Sequence, residues 1–143
     1  TVGAASVLVC NAAGLKKIKC DPLVKVKGIS VVGDDPILML TGPIPATKKV
    51  LNESKLNIDE IGLYEVNEAF APVPLAWEIE VKADRSKLNV NGGAMALGHP
   101  LGASGAKLMT TLIYEMHRRN EKYGLQAICE GGGTANATIL EKV

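Results

Sequence analysis

Aromatic residues are scarce: one Trp, three Tyr and one Phe among 143 residues. A core built from this chain must therefore be aliphatic, packed from Val, Ile, Leu and Ala. Cysteine is sparse too. Three cysteines, an odd number, argue against a disulfide framework and for a reducing, intracellular compartment, cytoplasmic in the simplest reading. Cys10, Cys20 and Cys129 form no Cys-x-x-Cys pair, and neither histidine lies near a cysteine in sequence, so no metal site is expected. A charge surplus is also missing. Lys and Arg total 16 against 15 Asp and Glu, a net charge of +1, which points away from nucleic acid and from membrane surfaces. No apolar run approaches the ~20 residues that span a bilayer. No signal peptide is visible, although the chain opens without Met on TVGAASVLV, which leaves an upstream targeting segment open.

What the chain has is aliphatic residues and glycine: 47% apolar residues and 15 glycines. Its length points to one domain, large enough to bury roughly 70% of its unfolded surface. Ala4 to Cys10 is a continuous apolar run and reads as a strand buried on both faces. Residues 11 to 21 hold a short helix or turn. LVKVKGISVV, 23 to 32, reads as a strand running from a half-exposed start to a buried end, broken by Gly33 to Pro36. TGPIPATKKVLNESKL predicts a helix with Pro45 near its first turn. Ala46, Val50 and Leu51 form its apolar face. IGLYEV, 61 to 66, is a third strand. A helix follows, with Pro72 and Pro74 as irregularities. VNGGAMALGHPLGASG is a long glycine-rich loop, and residues 100 to 119 predict a helix with Leu101, Leu108, Met109, Leu112, Ile113 and Met116 on one face. LQAICEGGGTANATILEK reads as two strands around a glycine turn. Strands alternating with helices imply a layered α/β domain, with a mixed sheet if the last two strands form a hairpin.

Three places could carry chemistry. His99 lies in Gly98-His99-Pro100, before a helix, and histidine is the side chain best tuned for proton transfer near neutral pH. A surface loop histidine is the bland alternative, at even odds on this motif alone. His117, on the polar side of a helix, reads as solvated. Asn67 and Glu68 follow a strand, where ligands bind in open α/β sheets. Asn67 could hold a water or an oxyanion there, but position alone favours a helix N-cap, with Glu68 in the first turn. Cys129 ends a strand and precedes Gly131, Gly132 and Gly133. A glycine run exposes backbone N–H groups suited to an oxyanion hole, and a cysteine beside it suits a nucleophile or an acid–base group. Cys10 reads as a buried strand thiol and Cys20 as a loop thiol. No phosphate-binding loop, nucleophile elbow or dinucleotide fingerprint fits the spacing.

GPIPATKK (42 to 49), VNEAFA (66 to 71), NGGAMALGHPLGASGA (91 to 106) and CEGGG (129 to 133) occur in this order. Together they resemble the C-terminal half of the thiolases, the acetyl-CoA acyltransferases, over essentially the whole chain. CEGGGTANATI is more similar to degradative 3-ketoacyl-CoA thiolases, the fatty-acid β-oxidation type, than to the biosynthetic type. The resemblance implies a mixed five-stranded sheet covered by helices. It implies that His99 activates a nucleophilic cysteine and helps bind the thioester oxygen. Asn67 would hold a catalytic water in the same oxyanion hole, and Cys129 would be the acid–base thiol. Gly131 would donate an N–H to a second oxyanion hole, and Phe70 would flank the acyl pocket. Acyl-CoA and coenzyme A are implied as substrates, with no bound cofactor, and a dimer or tetramer for the parent enzyme.

In that family the nucleophilic cysteine belongs to the N-terminal half, and neither Cys10 nor Cys20 sits in a matching motif. The loop region that grips most of the CoA has no counterpart here either. The expectation is a single C-terminal thiolase domain over 1–143, carrying half an active site and inactive without the N-terminal thiolase half. Alone, it should expose an apolar helical layer and self-associate. Two rivals remain: a decarboxylating ketoacyl synthase, disfavoured because Cys129 stands where those enzymes generally use a histidine, and a non-catalytic thiolase-like module for lipid or CoA binding or assembly.

Overall fold

The computed structural model describes residues 1–143. Its centre is a mixed sheet of four strands: β1 (Val24–Gly33), β2 (Leu63–Val66), β3 (Tyr123–Cys129) and β4 (Thr134–Lys142). Their order is β1-β4-β3-β2. β4 runs antiparallel to both of its neighbours, and β2 runs parallel to β3. The expected fifth strand is reduced to a single parallel bridge between Leu88 and Tyr64. It stops there because the next residue, Asn89, takes a left-handed backbone (φ 46°) and continues the pairing with its side chain. Asn89 Oδ1 accepts from the Val66 N–H at 2.9 Å, and Asn89 Nδ2 donates to the Val66 carbonyl at 3.0 Å.

Two helices cover one face of the sheet: α2 (Pro43–Ser54) and α3 (Pro72–Val81). Both begin with prolines at their first and third positions. First-turn N–H groups have no partner within a helix, so these prolines sacrifice no helical hydrogen bond. Pro74 is therefore part of a regular helix start rather than an irregularity. The main core lies here, where Ala46, Val50, Trp77, Tyr64, Val66, Leu125, Ala127 and Ile139 are all at most 1% exposed. The lone Trp77 packs edge-on to Tyr64, ring centroids 5.4 Å apart, and donates to Thr47 Oγ1 at 2.8 Å. One buried aromatic pair with satisfied polar tips gives this aliphatic core its largest side chains.

A third helix, α5 (Ser104–Arg119), covers the other face through Leu108, Leu112, Ile113 and Met116, with Leu63 and Leu140 below. It comes close to β3 because residue 124 has no side chain: a Cβ there would lie 2.5 Å from Met116 Sδ. Two short helices complete the fold, α1 (Ala12–Ile18) and α4 (Ala94–Leu97). α1, α2, α3 and α5 all end on a left-handed residue, Lys19, Lys55, Lys82 and Asn120 respectively.

Four sequence expectations are corrected. β1 does not run to a buried end: Ile29 and Val31 are 58% and 57% exposed, because β1 is the edge strand and α5 covers β2, β3 and β4 instead. Ala4 to Cys10 forms no strand; it is extended and exposed, with Leu8 and Val9 about three-quarters accessible. An apolar run becomes a strand only when another strand receives its N–H and C=O groups, and none in this chain does. Cys10 is therefore exposed rather than buried. The helix expected from residue 100 starts at Ser104, because Pro100 first closes a turn by accepting from the Ala103 and Ser104 N–H groups. Leu101 falls outside the helix and is 84% exposed.

Candidate active site

The parallel pair β2 and β3 ends close together, β3 running on past the end of β2 to Cys129. Val66 registers with Ala127, and the Asn67 N–H donates to the Ala127 carbonyl at 3.0 Å. Asn67 and Cys129 thus sit at the carboxyl ends of adjacent strands, where open sheets bind ligands. The cap reading of Asn67 is overturned, since α3 starts five residues later at Pro72 and its N-cap is Ala71. Asn67 is 1% exposed, and its Oδ1 has no hydrogen-bond partner. A buried amide oxygen left unpaired is rare, and its desolvation costs about 1–3 kcal/mol.

Cys129 is buried at the lip of the main core. Burial raises its thiol above the ordinary range, and the nearby Glu130 charge adds to this. The group is a protonated thiol at neutral pH, suited to giving a proton rather than to standing ready as a thiolate. Beyond it, Gly131 has open space where a Cβ would point. Gly133 does not: at φ 86° its Cβ would lie 2.7 Å from the Asp34 carbonyl oxygen. The Asp34 N–H donates to Gly133 O at 2.7 Å, so this glycine turn is clamped by the segment leaving β1.

The loop carrying His99 is fixed from several sides. Gln126 of β3, 2% exposed, donates to the Gly105 carbonyl at 2.8 Å, which ties the first turn of α5 to β3. Lys107 donates to the carbonyls of Leu97 and Gly98, the latter at 3.1 Å. The ring itself meets Ser104, with Nδ1 2.6 Å from Oγ. On the other side of the loop, Glu68 accepts from Asn89 Nδ2 at 3.0 Å and from the Met95 N–H at 2.9 Å. Gly93 is a glycine because a Cβ would come within 2.3 Å of the Glu68 carboxyl carbon.

Segments between residues 67 and 133 that are separate in sequence are thus tied together around β2 and β3. The family description that matches residues 20–142 is thiolase, C-terminal domain. This chain belongs to the thiolase family. It is 53% identical over 141 residues to a steroid 3-ketoacyl-CoA thiolase of Mycobacterium tuberculosis, covering 99% of this chain and 35% of that protein. It is 44% identical to an acetyl-CoA acetyltransferase of Cupriavidus necator, covering 98% of this chain and 36% of that protein. The crystal structure of human mitochondrial 3-ketoacyl-CoA thiolase superposes with a TM-score of 0.89 at 44% identity, covering 92% of this chain and 33% of that one. The same human enzyme in complex with CoA gives 0.88. The chain therefore spans about a third of the length of these thiolase relatives.

Of the residues singled out from sequence, Asn67, Cys129 and Gly131 lie at the ends of adjacent strands β2 and β3, and His99 lies in the loop before α5, whose first turn Gln126 ties to β3. Phe70 lies in the turn before α3 and is 58% exposed. His117 lies apart, its Nε2 2.8 Å from the Leu23 carbonyl oxygen. Sequence reasoning missed Ser104, Asn89, Gln126 and Lys107. A serine in the first turn of the helix after Gly-His-Pro was the available signal for Ser104. Nothing local marked Gln126, whose role depends on a helix that precedes it by 21 residues.

Proposed function

We propose that this chain supplies the C-terminal half of the active site of a 3-ketoacyl-CoA thiolase. The observation that carries the reading is Asn67 and Cys129 at the ends of adjacent parallel strands, with the His99 loop tied by Gln126 to one of them. The higher identity to the steroid 3-ketoacyl-CoA thiolase supports the degradative direction. Coenzyme A and acyl-CoA are the substrates, and the nucleophilic cysteine comes from the N-terminal half.

The chemistry follows from the residues. His99 takes the proton of the nucleophilic thiol. The thiolate attacks the 3-keto carbon of the substrate and, as the bond between Cα and Cβ breaks, keeps the acyl group as a thioester. The departing acetyl-CoA carries the electron pair as an enolate. Cys129 donates its proton to that carbon and becomes a thiolate. Incoming CoA loses its thiol proton to Cys129, which restores that thiol, and attacks the acyl group. The acyl group leaves as a shortened acyl-CoA, and the nucleophilic cysteine, released as a thiolate, takes its proton back from His99. Asn67, through a water, and the Gly131 N–H stabilise the oxyanions formed on the way.

Two experiments test this. The 143-residue chain, given CoA and a 3-ketoacyl-CoA, should show no thiolysis; turnover would mean that Cys10, Cys20 or Cys129 serves as the nucleophile. In the protein carrying both halves, Cys129→Ala should lower kcat by about 10²–10⁴-fold. Unchanged thiolysis would remove Cys129 from the mechanism and favour a non-catalytic CoA-binding or assembly module.

A further inference from the structure

His99 Nδ1 faces one protein group, the Ser104 hydroxyl, at 2.6 Å. That hydroxyl has one proton, and it is placed to donate it to the Pro100 carbonyl at 3.0 Å, back along its own helix start. A hydroxyl that donates to Pro100 can only accept from the imidazole. Ser104 is 4% exposed, so bulk water does not reach its hydroxyl, although the His99 ring is only half-buried. We propose that Ser104 is a positioning residue that fixes His99 as the tautomer protonated at Nδ1. The tautomer of a histidine is set by the bond made at its other nitrogen, and here that bond leaves the lone pair on Nε2.

This inference rests on the thiolase reading of His99 and adds a sequence of proton positions to it. In the resting protein Nε2 is an acceptor and receives the proton of the nucleophilic thiol. The ring then carries N–H groups at both nitrogens. Nε2 becomes a donor at the moment a negative oxygen develops, so one atom serves first as base and then as oxyanion donor. Ser104 remains an acceptor throughout, and no proton crosses the ring. The backbone scaffold is held by Lys107 on the Leu97 and Gly98 carbonyls, so the hydroxyl has only the ring to orient.

The test reads the tautomer directly. Imidazole ¹⁵N NMR on the 143-residue chain, in solution or in the solid state if it self-associates, should show His99 Nδ1 protonated and Nε2 unprotonated at neutral to mildly alkaline pH. Ser104→Ala should move the population toward the Nε2-protonated form that free histidine prefers, and Ser104→Thr should restore the original pattern. A wild-type ring protonated at Nε2, or a pattern unmoved by Ser104→Ala, would overturn the proposal. Kinetics on the protein carrying both halves separates this from the thiolase reading. His99→Ala should abolish thiolysis, and Ser104→Ala should lower kcat roughly tenfold with KM little changed. If His99→Ala leaves thiolysis intact, the thiolase role of His99 fails while the tautomer result stands. If His99→Ala is inactive and Ser104→Ala keeps full kcat, the Ser104 role fails alone.

Discussion

Asn89 pairs with both backbone groups of Val66, accepting from its N–H at 2.9 Å and donating to its carbonyl at 3.0 Å. A side chain thus does the work of one more residue of strand, and the edge of the sheet beside Asn67 is closed without a further strand.

Asn89→Ala should be costly for that reason. It leaves two buried backbone groups of Val66 without their partner and puts a Cβ-bearing residue without local hydrogen bonds at φ 46°. The expected loss is about 2–4 kcal/mol, read as a lower midpoint in urea with unchanged slope. A loss within 0.5 kcal/mol would show that the pairing adds nothing measurable.

Gly93 and Glu68 should behave as a coupled pair. Gly93→Ala places a methyl against the Glu68 carboxylate and should cost about 1–3 kcal/mol by overpacking. Glu68→Ala removes both the clash and the tie to Met95, so the double variant should cost clearly less than the sum. Additive losses in a double-mutant cycle would place the clash elsewhere.

Two buried carboxyls should shape the pH dependence of stability in opposite senses. Glu115, 4% exposed and held by Arg118, Asn91 and Arg119, has its carboxyl lowered to about 2. Its folded form prefers the charge, so its contribution is present above the ordinary carboxylate range and is lost as pH falls from about 4.5 toward 2. Glu65, 2% exposed, is raised to about 8 by burial, then by the Glu68 and Glu115 charges. Its folded form prefers the proton, so stability falls as pH rises from about 4.5 to 8. Glu65→Gln should flatten the alkaline limb of the Tm-against-pH curve, and Glu115→Gln the acid limb. The reverse assignment of limbs would contradict both environments.

The three thiols should differ in reactivity. Cys10 and Cys20 are exposed, whereas Cys129 is buried with a raised thiol. Iodoacetamide at pH 7.5 should label the first two and spare the third until denaturant is added, as mass spectrometry of the peptides would show. Prompt labelling of Cys129 in the native chain would mean an open, thiolate-rich site.

What could be read from sequence was whatever a short stretch determines. The strand at 23 to 32, the helix around Ala46 and Val50, and the hairpin either side of the glycines all follow from periodicity and turn residues, and the structure has them. What failed needed a partner distant in the chain. Ala4 to Cys10 has the composition of a strand but no neighbour. Asn67 resembles a cap because it follows a strand, yet α3 begins only after a further turn. The site motifs were legible as motifs; the ties that hold them, from Gln126 to Gly105 and from Glu68 to Met95, link positions 21 and 27 residues apart and leave no periodic trace.

The left-handed helix ends have a practical meaning. Such positions usually go to glycine, because other residues pay about 1 kcal/mol or more to adopt them. Here three are lysines and one is asparagine, while several of the chain's glycines stand where another group approaches closely, as at Gly93, Gly124 and Gly133. Lys19, Lys55 and Lys82 lie on the surface, each at the C-terminal end of its helix, and none is among the residues that hold the strand-end site. Thermal tolerance can therefore be raised by glycine at these three exposed sites without touching the chemistry.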